Sequence, residues 1–94
     1  MKKILLVEDD LILGESLEEL LSEEGFDVVW VKDGNEAIDQ TYDNIFDLYL
    51  FDVDIPFING FELLKSLRDI SDKTPCIFLT AKVGIKSLSI GFDV

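Results

Sequence analysis

Four short apolar runs punctuate the chain: KILLV at 3–7, DVVWV at 27–31, DLYLF at 47–51 and CIFLT at 76–80. Each is largely continuous and rich in β-branched or aromatic residues, the pattern of a strand buried on both faces of a parallel sheet. Between the runs the period changes. In DLILGESLEELLSEEG, Leu13, Leu17, Leu20 and Leu21 share one helical face, acids fill the other, and Gly25 marks the end. Asp33 and Glu36 in DGNEAIDQTY have the spacing of a helix-capping pair, followed by Ala37, Ile38 and Thr41 on one side. NGFELLKSLRDIS places Leu63, Leu67 and Ile70 at i, i+4 and i+7, beside Phe61 and Leu64. GIKSLSIGF, at 84–92, carries a weaker helical pattern. The order β-α-β-α-β-α-β predicts right-handed crossovers and an open parallel α/β sheet. It forms one domain, residues 1–94, without repeats, linker or low-complexity tract.

Composition narrows the classes. Hydrophobic residues make up 48% of the chain, enough for a folded core in spite of a net charge of −12. That charge argues against nucleic acid or an anionic membrane surface as a partner of this segment, and favours a bound cation or a basic partner. Trp30, the only tryptophan, reads as a packing residue of the second strand. The single Cys76 lies inside PCIFLTA, where it reads as a buried small hydrophobe; it allows no internal disulfide and suits a reducing cytoplasm. With no histidine present, a His-dependent triad, His-ligated zinc and phosphohistidine are all excluded for this domain. MKKILLV has a basic start, but its apolar run stops at EDD, too soon for a signal peptide, and no stretch is long enough to span a membrane.

Two of the four strands end in acids. ILLVEDD delivers Glu8, Asp9 and Asp10, and LYLFDVD delivers Asp52 and Asp54. In open α/β sheets, ligands bind beyond the carboxyl ends of the strands, so the two clusters converge if these strands are neighbours. Asp10 immediately precedes a helical pattern and reads as its N-cap. Glu8, Asp9 and Asp52 are different, because acids rarely end buried strands unless they are paired or metal-bound. Two carboxylates about 4 Å apart repel by roughly 4 kcal/mol at an effective dielectric near 20. Three together hold either protons or a cation. Oxygen ligands without imidazole or thiolate select a hard ion, and Mg²⁺ fits best. A carboxylate beside such an ion is a candidate phosphoryl acceptor. At the end of the fourth strand, the Thr80 hydroxyl and the Ala81 backbone N–H are placed to bind phosphoryl oxygens.

These residues resemble the receiver domain of two-component response regulators. KILLVEDD is similar to the family's opening strand and acidic pair, DLYLFDVDIPFINGFELL to the acceptor strand, proline loop and third helix, and PCIFLTA to the strand with the switch threonine. The resemblance implies a flavodoxin-like doubly wound sheet, whose family order 2-1-3-4-5 puts the first and third strands side by side. By position it implies phosphorylation on Asp52 by a sensor histidine kinase. Glu8 and Asp9 would hold Mg²⁺ with Asp52, the Asp54 backbone carbonyl would add a ligand, and Thr80 and Ala81 would bind the phosphoryl group. Asp54 also occupies a position that tunes dephosphorylation in this family. The domain would be a phosphoryl acceptor and not an enzyme.

The pattern ends at Val94, where the family's fifth strand would begin. The resemblance therefore implies a truncated receiver of order 2-1-3-4, lacking the fifth strand, its phosphate-pairing lysine and the fifth helix. An exposed fourth-strand edge and a half-covered sheet face would then favour a homo-oligomer, and loss of the lysine counter-charge would weaken phosphorylation. Two other readings stand beside this one. A degenerate receiver would act through protein contacts without phosphotransfer. FDVD also resembles the first motif of haloacid dehalogenase-like phosphatases, in which Asp52 would be the nucleophile and Asp54 the general acid; IPFING departs from that family's Gly-Thr turn.

Overall fold

A computed structural model of the chain describes residues 1–82 and 85–89, with side chains described through Leu79. The elements alternate as expected: β1 (Lys3–Val7), α1 (Leu11–Glu23), β2 (Asp27–Val31), α2 (Gly34–Asp43), β3 (Leu48–Asp52), α3 (Gly60–Asp69), β4 (Cys76–Lys82) and β5 (Ile85–Ser89). They form one sheet in the order β2-β1-β3-β4-β5. β1 pairs in parallel with both β2 and β3, and β3 with β4, so the doubly wound parallel core of order 2-1-3-4 is observed.

Polar side chains start each helix. Asp10 accepts from the backbone N–H groups of Ile12 and Leu13 at 3.0 and 3.1 Å. Asp33 accepts from Glu36 N at 2.9 Å, and Asn59 from Glu62 N at 2.9 Å. Each satisfies donors that the first helical turn cannot satisfy itself. α2 and α3 cover one face of the sheet, over a core of Leu5, Val7, Phe51, Leu63, Leu64 and Leu67. α1 covers the other, with Leu17 and Leu21 against Ile4, Leu6, Leu50 and Leu79. Leu20 was expected on that inner face but is 55% exposed, as is Phe61; Ile70 is more exposed still. Phe61 nevertheless lays its ring 4.6 Å from that of Phe78.

The chain after β4 departs from expectation. The weak helical pattern at 84–92 is not a helix where it is described: Ile85–Ser89 is a strand, antiparallel to β4, with Leu79 opposite Leu88 and Thr80 opposite Ser87. An unpaired strand edge offers a full row of N–H and C=O groups, and that outweighs a marginal local helix preference. β5 therefore occupies the fourth-strand edge, so the expected oligomer contact through a bare β4 edge is corrected. On α1's side of the sheet, Leu50 and Leu79 are buried as well, so the exposed apolar face expected there is not found at these residues.

Candidate phosphoryl-acceptor site

β1 and β3 are direct neighbours, with Val7 opposite Phe51, so the residues following them emerge together at the carboxyl end of the sheet. Glu8 stays in line with its strand, its N–H donating to Val31 O at 3.0 Å. Asp10 N donates to Glu8 Oε2 at 3.0 Å, closing a tight turn between β1 and α1. Glu8 and Asp52 are wholly buried, whereas Asp9 is exposed. One oxygen from each of Glu8, Asp9 and Asp52 lies within 4.8 Å of the others. The predicted convergence is thus present, with two acids forming a floor and one at the rim.

This donor set fits a hard divalent ion. It supplies only carboxylate oxygens and leaves one side open for retained water, the arrangement that Mg²⁺ favours. Crowded carboxylates at this separation repel, and a cation between them converts the repulsion into attraction.

The loop after β3 is shaped by close backbone approach. Gly60, the first residue of α3, sits where any Cβ would overlap the carbonyl oxygen of Asp52. Its N–H donates to Val53 O at 2.9 Å, folding residues 53–59 back over the strand end. Within that loop Ile58 N donates to Pro56 O at 2.9 Å, a three-residue turn with Phe57 at its centre. Phe57 has φ 74°, a left-handed conformation that costs a bulky side chain energy, and it is 80% exposed. Ile55 anchors the loop in the core.

Other predicted residues fall as follows. Asp54 is exposed, and its carboxylate is not part of the three-acid group. Thr80 and Ala81 lie on β4, just past Leu79, which is the register partner of Asp52. Their side chains lie outside the described residues. Trp30 does more than pack: its indole Nε1–H donates to the backbone carbonyl of Glu8 at 2.9 Å. A tryptophan on the strand beside an acidic strand end is the one sequence signal for that contact.

Comparison with known proteins fits this geometry. The family profile described as the response regulator receiver domain matches residues 4–93. The chain belongs to that family. It is 50% identical over 82 residues to the transcriptional regulatory protein CpxR of Escherichia coli K12, covering 87% of this chain and 34% of the relative. Among solved structures, the receiver domain of Francisella response regulator 1452 superposes with a TM-score of 0.84 at 31% identity, covering 88% of this chain and 69% of that one. TrrA of Thermotoga maritima, in complex with Mg²⁺-BeF, gives 0.81 at 34% identity, covering 88% and 72%. TrrA in complex with the histidine kinase ThkA gives 0.79, again at 34% identity, covering 86% and 70%. The chain spans 34–44% of the length of the curated relatives it matches.

Proposed function

We propose that this chain is the receiving end of a phosphorelay, taking a phosphoryl group onto Asp52 from the phosphohistidine of a sensor histidine kinase, with Mg²⁺ required. The observation that carries this reading is the meeting of Glu8, Asp9 and Asp52 oxygens within 4.8 Å at the end of a parallel sheet. Membership of the receiver family supports it, as do the Mg²⁺-BeF and kinase complexes of TrrA.

In this reading a carboxylate oxygen of Asp52 attacks phosphorus. A phosphorus–oxygen bond forms, the phosphorus–nitrogen bond to the kinase imidazole breaks, and the imidazole leaves with a proton taken from solvent. Burial keeps Asp52 at a fixed position and limits water around the acyl phosphate it becomes. Glu8 and Asp9 would hold the cation beside Asp52, with the Asp54 backbone carbonyl as a further ligand. Bound Mg²⁺ supplies charge neutralisation for the incoming phosphoryl oxygens. Thr80 hydroxyl and Ala81 N–H are the proposed donors to those oxygens. The chain is an acceptor in this scheme and not an enzyme in its own right.

The site's action belongs in the cytoplasm, where Cys76 stays reduced; among the described residues no helix is long and apolar enough to cross a membrane. With a net charge of −12, this segment itself is proposed to contact no nucleic acid. A second copy of the chain is a further candidate partner, which light scattering at micromolar concentration tests; a clean monomer refutes it.

Acetyl phosphate with Mg²⁺, followed by intact mass measurement, tests the central reading. The expected product carries one added phosphoryl group, lost with EDTA and absent in Asp52→Asn. Equal masses for wild type and Asp52→Asn would instead make the chain an interaction module without phosphotransfer.

A further inference from the structure

We propose that Trp30 is a positioning residue for the acidic turn between β1 and α1, so that the indole N–H sets how Glu8 and Asp9 present their carboxylates to a cation. The inference rests on the reading of those two residues as Mg²⁺ ligands.

The turn is held at three points around Glu8. Its N–H is fixed to Val31 O, its side-chain Oε2 accepts from Asp10 N, and its carbonyl accepts from Trp30 Nε1. The first two hold the strand end and the near side of the turn. The third fixes the Glu8 carbonyl, and with it the peptide plane that leads directly into Asp9. A peptide plane free to rotate would swing the Asp9 carboxylate away from Asp52, because Asp9 is carried on this turn between β1 and α1 whereas Asp52 is fixed at the end of β3.

The indole is itself built in. Gly14 of α1 lies against it so closely that a Cβ there would overlap the ring. Lys32 places its ammonium 5.6 Å from the ring centroid. The half-buried ring also packs against the buried cluster of Ile4, Leu6, Leu50 and Leu79 on α1's side of the sheet, as Leu17 and Leu21 do. A tryptophan serving only as apolar filling needs no donor to a carbonyl at the edge of the acidic crevice. Phenylalanine or leucine would fill that space without forcing a glycine into the fourth position of α1, where it costs helix stability.

The test uses the 94-residue chain and Mg²⁺ alone as probe. Because Trp30 is the only tryptophan, biosynthetic incorporation of β-(3-benzothienyl)alanine replaces its N–H by sulfur while keeping the ring's shape. Trp30→Phe serves as a second variant and Leu17→Ala as a control that loosens the same apolar cluster. Calorimetric titration is expected to show Mg²⁺ affinity falling about tenfold in both Trp30 variants, in the low range for loss of a hydrogen bond behind a metal ligand. Leu17→Ala should lose stability at unchanged affinity. Without Mg²⁺, amide exchange at Asp9 and Asp10 should accelerate in the benzothienyl protein and not in the control. Wild-type affinity and wild-type exchange in the benzothienyl protein overturn the proposal, even if Trp30→Phe fails to fold. A wild type that binds no Mg²⁺ sinks the phosphorelay reading, and the exchange measurement then decides the role of Trp30 by itself.

Discussion

Two regions at opposite ends of β3 hold acidic side chains in opposite ways. At the carboxyl end, Glu8, Asp9 and Asp52 are gathered around one another. Toward the other end, Asp72 is gathered among donors. It accepts from the Tyr49 hydroxyl on one oxygen, and from Thr74 N at 2.9 Å and Thr74 Oγ1 at 2.7 Å on the other. Arg68 adds a bond to the Asp72 carbonyl at 2.9 Å. Burial works to raise the Asp72 carboxyl, but the hydrogen bonds from Tyr49 and Thr74 outweigh it and hold the group below its ordinary value. Burial first, then the Asp72 hydrogen bond and charge, raise the Tyr49 phenol above its own. The lesson is that a carboxylate surrounded by donors ties the fold together, whereas carboxylates crowded on one another carry a mutual repulsion that a cation between them relieves.

The largest contrast to test is phosphoryl uptake. Asp52→Asn should abolish it, while Asp72→Asn should leave its extent unchanged, both read by intact mass after acetyl phosphate. Uptake lost in both variants would mean the lower acid supports the site after all, and the two ends would not be separate.

Stability without Mg²⁺ should move in opposite directions at the two ends. Asp72→Asn places an amide where Tyr49 now donates, and should cost about 1–3 kcal/mol at neutral pH, the penalty for spoiling a partly buried hydrogen-bonded group. Asp9→Asn removes a repelling charge, and should leave stability unchanged or raise it by about 0.5 kcal/mol while weakening Mg²⁺ binding. Urea unfolding of the three proteins measures both. A loss of stability in Asp9→Asn would break the comparison.

Gly60→Ala probes the upper end by geometry instead of charge. Its Cβ would meet the Asp52 carbonyl, which is backbone and cannot swing aside. A cost of about 1–3 kcal/mol is expected, with slowed phosphoryl uptake as Asp52 is displaced.

The acidity of the lower cluster gives a pH signature. Asp72 titrates below its unfolded value, so its contribution is present above an unfolded pKa of about 3.9 and disappears as pH falls through the lower folded value. The stability gap between wild type and Asp72→Asn should therefore close on acidification below about pH 4. Tyr49 titrates above its unfolded value of about 10, so its contribution is complete below that pH and is lost as pH rises further. Tyr49→Phe should lack that alkaline loss in urea titrations run at a series of pH values.

The upper end was far more legible in the sequence than the lower. Acids that interrupt apolar strand runs are conspicuous, and parallel strands from neighbouring crossovers bring such ends together, so Glu8, Asp9 and Asp52 stood out. The caps at Asp10 and Asp33 were legible for a similar reason, since they act within three residues. Tyr49 and Asp72 are 23 residues apart. In DLYLF the tyrosine reads as one more strand hydrophobe, and Asp72 as one more surface acid. Trp30 also read as filling, because a side-chain bond to a carbonyl 22 residues away leaves no spacing rule. The strand Ile85–Ser89 was hidden differently: what makes it a strand is the vacant edge of β4, which belongs to the partner and not to the local pattern.

The smallest effect separates the ends by backbone strain. The described residues include two non-glycine positions at positive φ, Phe57 at 74° above and Ser71 at 68° below. Ser71 ends α3: its N–H donates to Arg68 O at 2.9 Å and the next N–H, of Asp72, to Leu67 O at 3.1 Å. That pattern calls for a left-handed residue and is most often filled by glycine, and it sets Asp72 under Tyr49. Relief of left-handed strain, about 1–2 kcal/mol, exceeds the added chain entropy of glycine, about 0.5–1 kcal/mol. Both Ser71→Gly and Phe57→Gly should therefore stabilise by about 0.5–1 kcal/mol in urea, with an unchanged m value. Their functional effects should differ. Ser71→Gly leaves a structural clasp in place and should not change the rate of phosphoryl uptake. Phe57→Gly frees the three-residue turn that folds the loop over Asp52, and should slow uptake by letting the Asp54 carbonyl wander. Equal uptake rates in the two variants would show that strain at the upper end is tolerated there and not used.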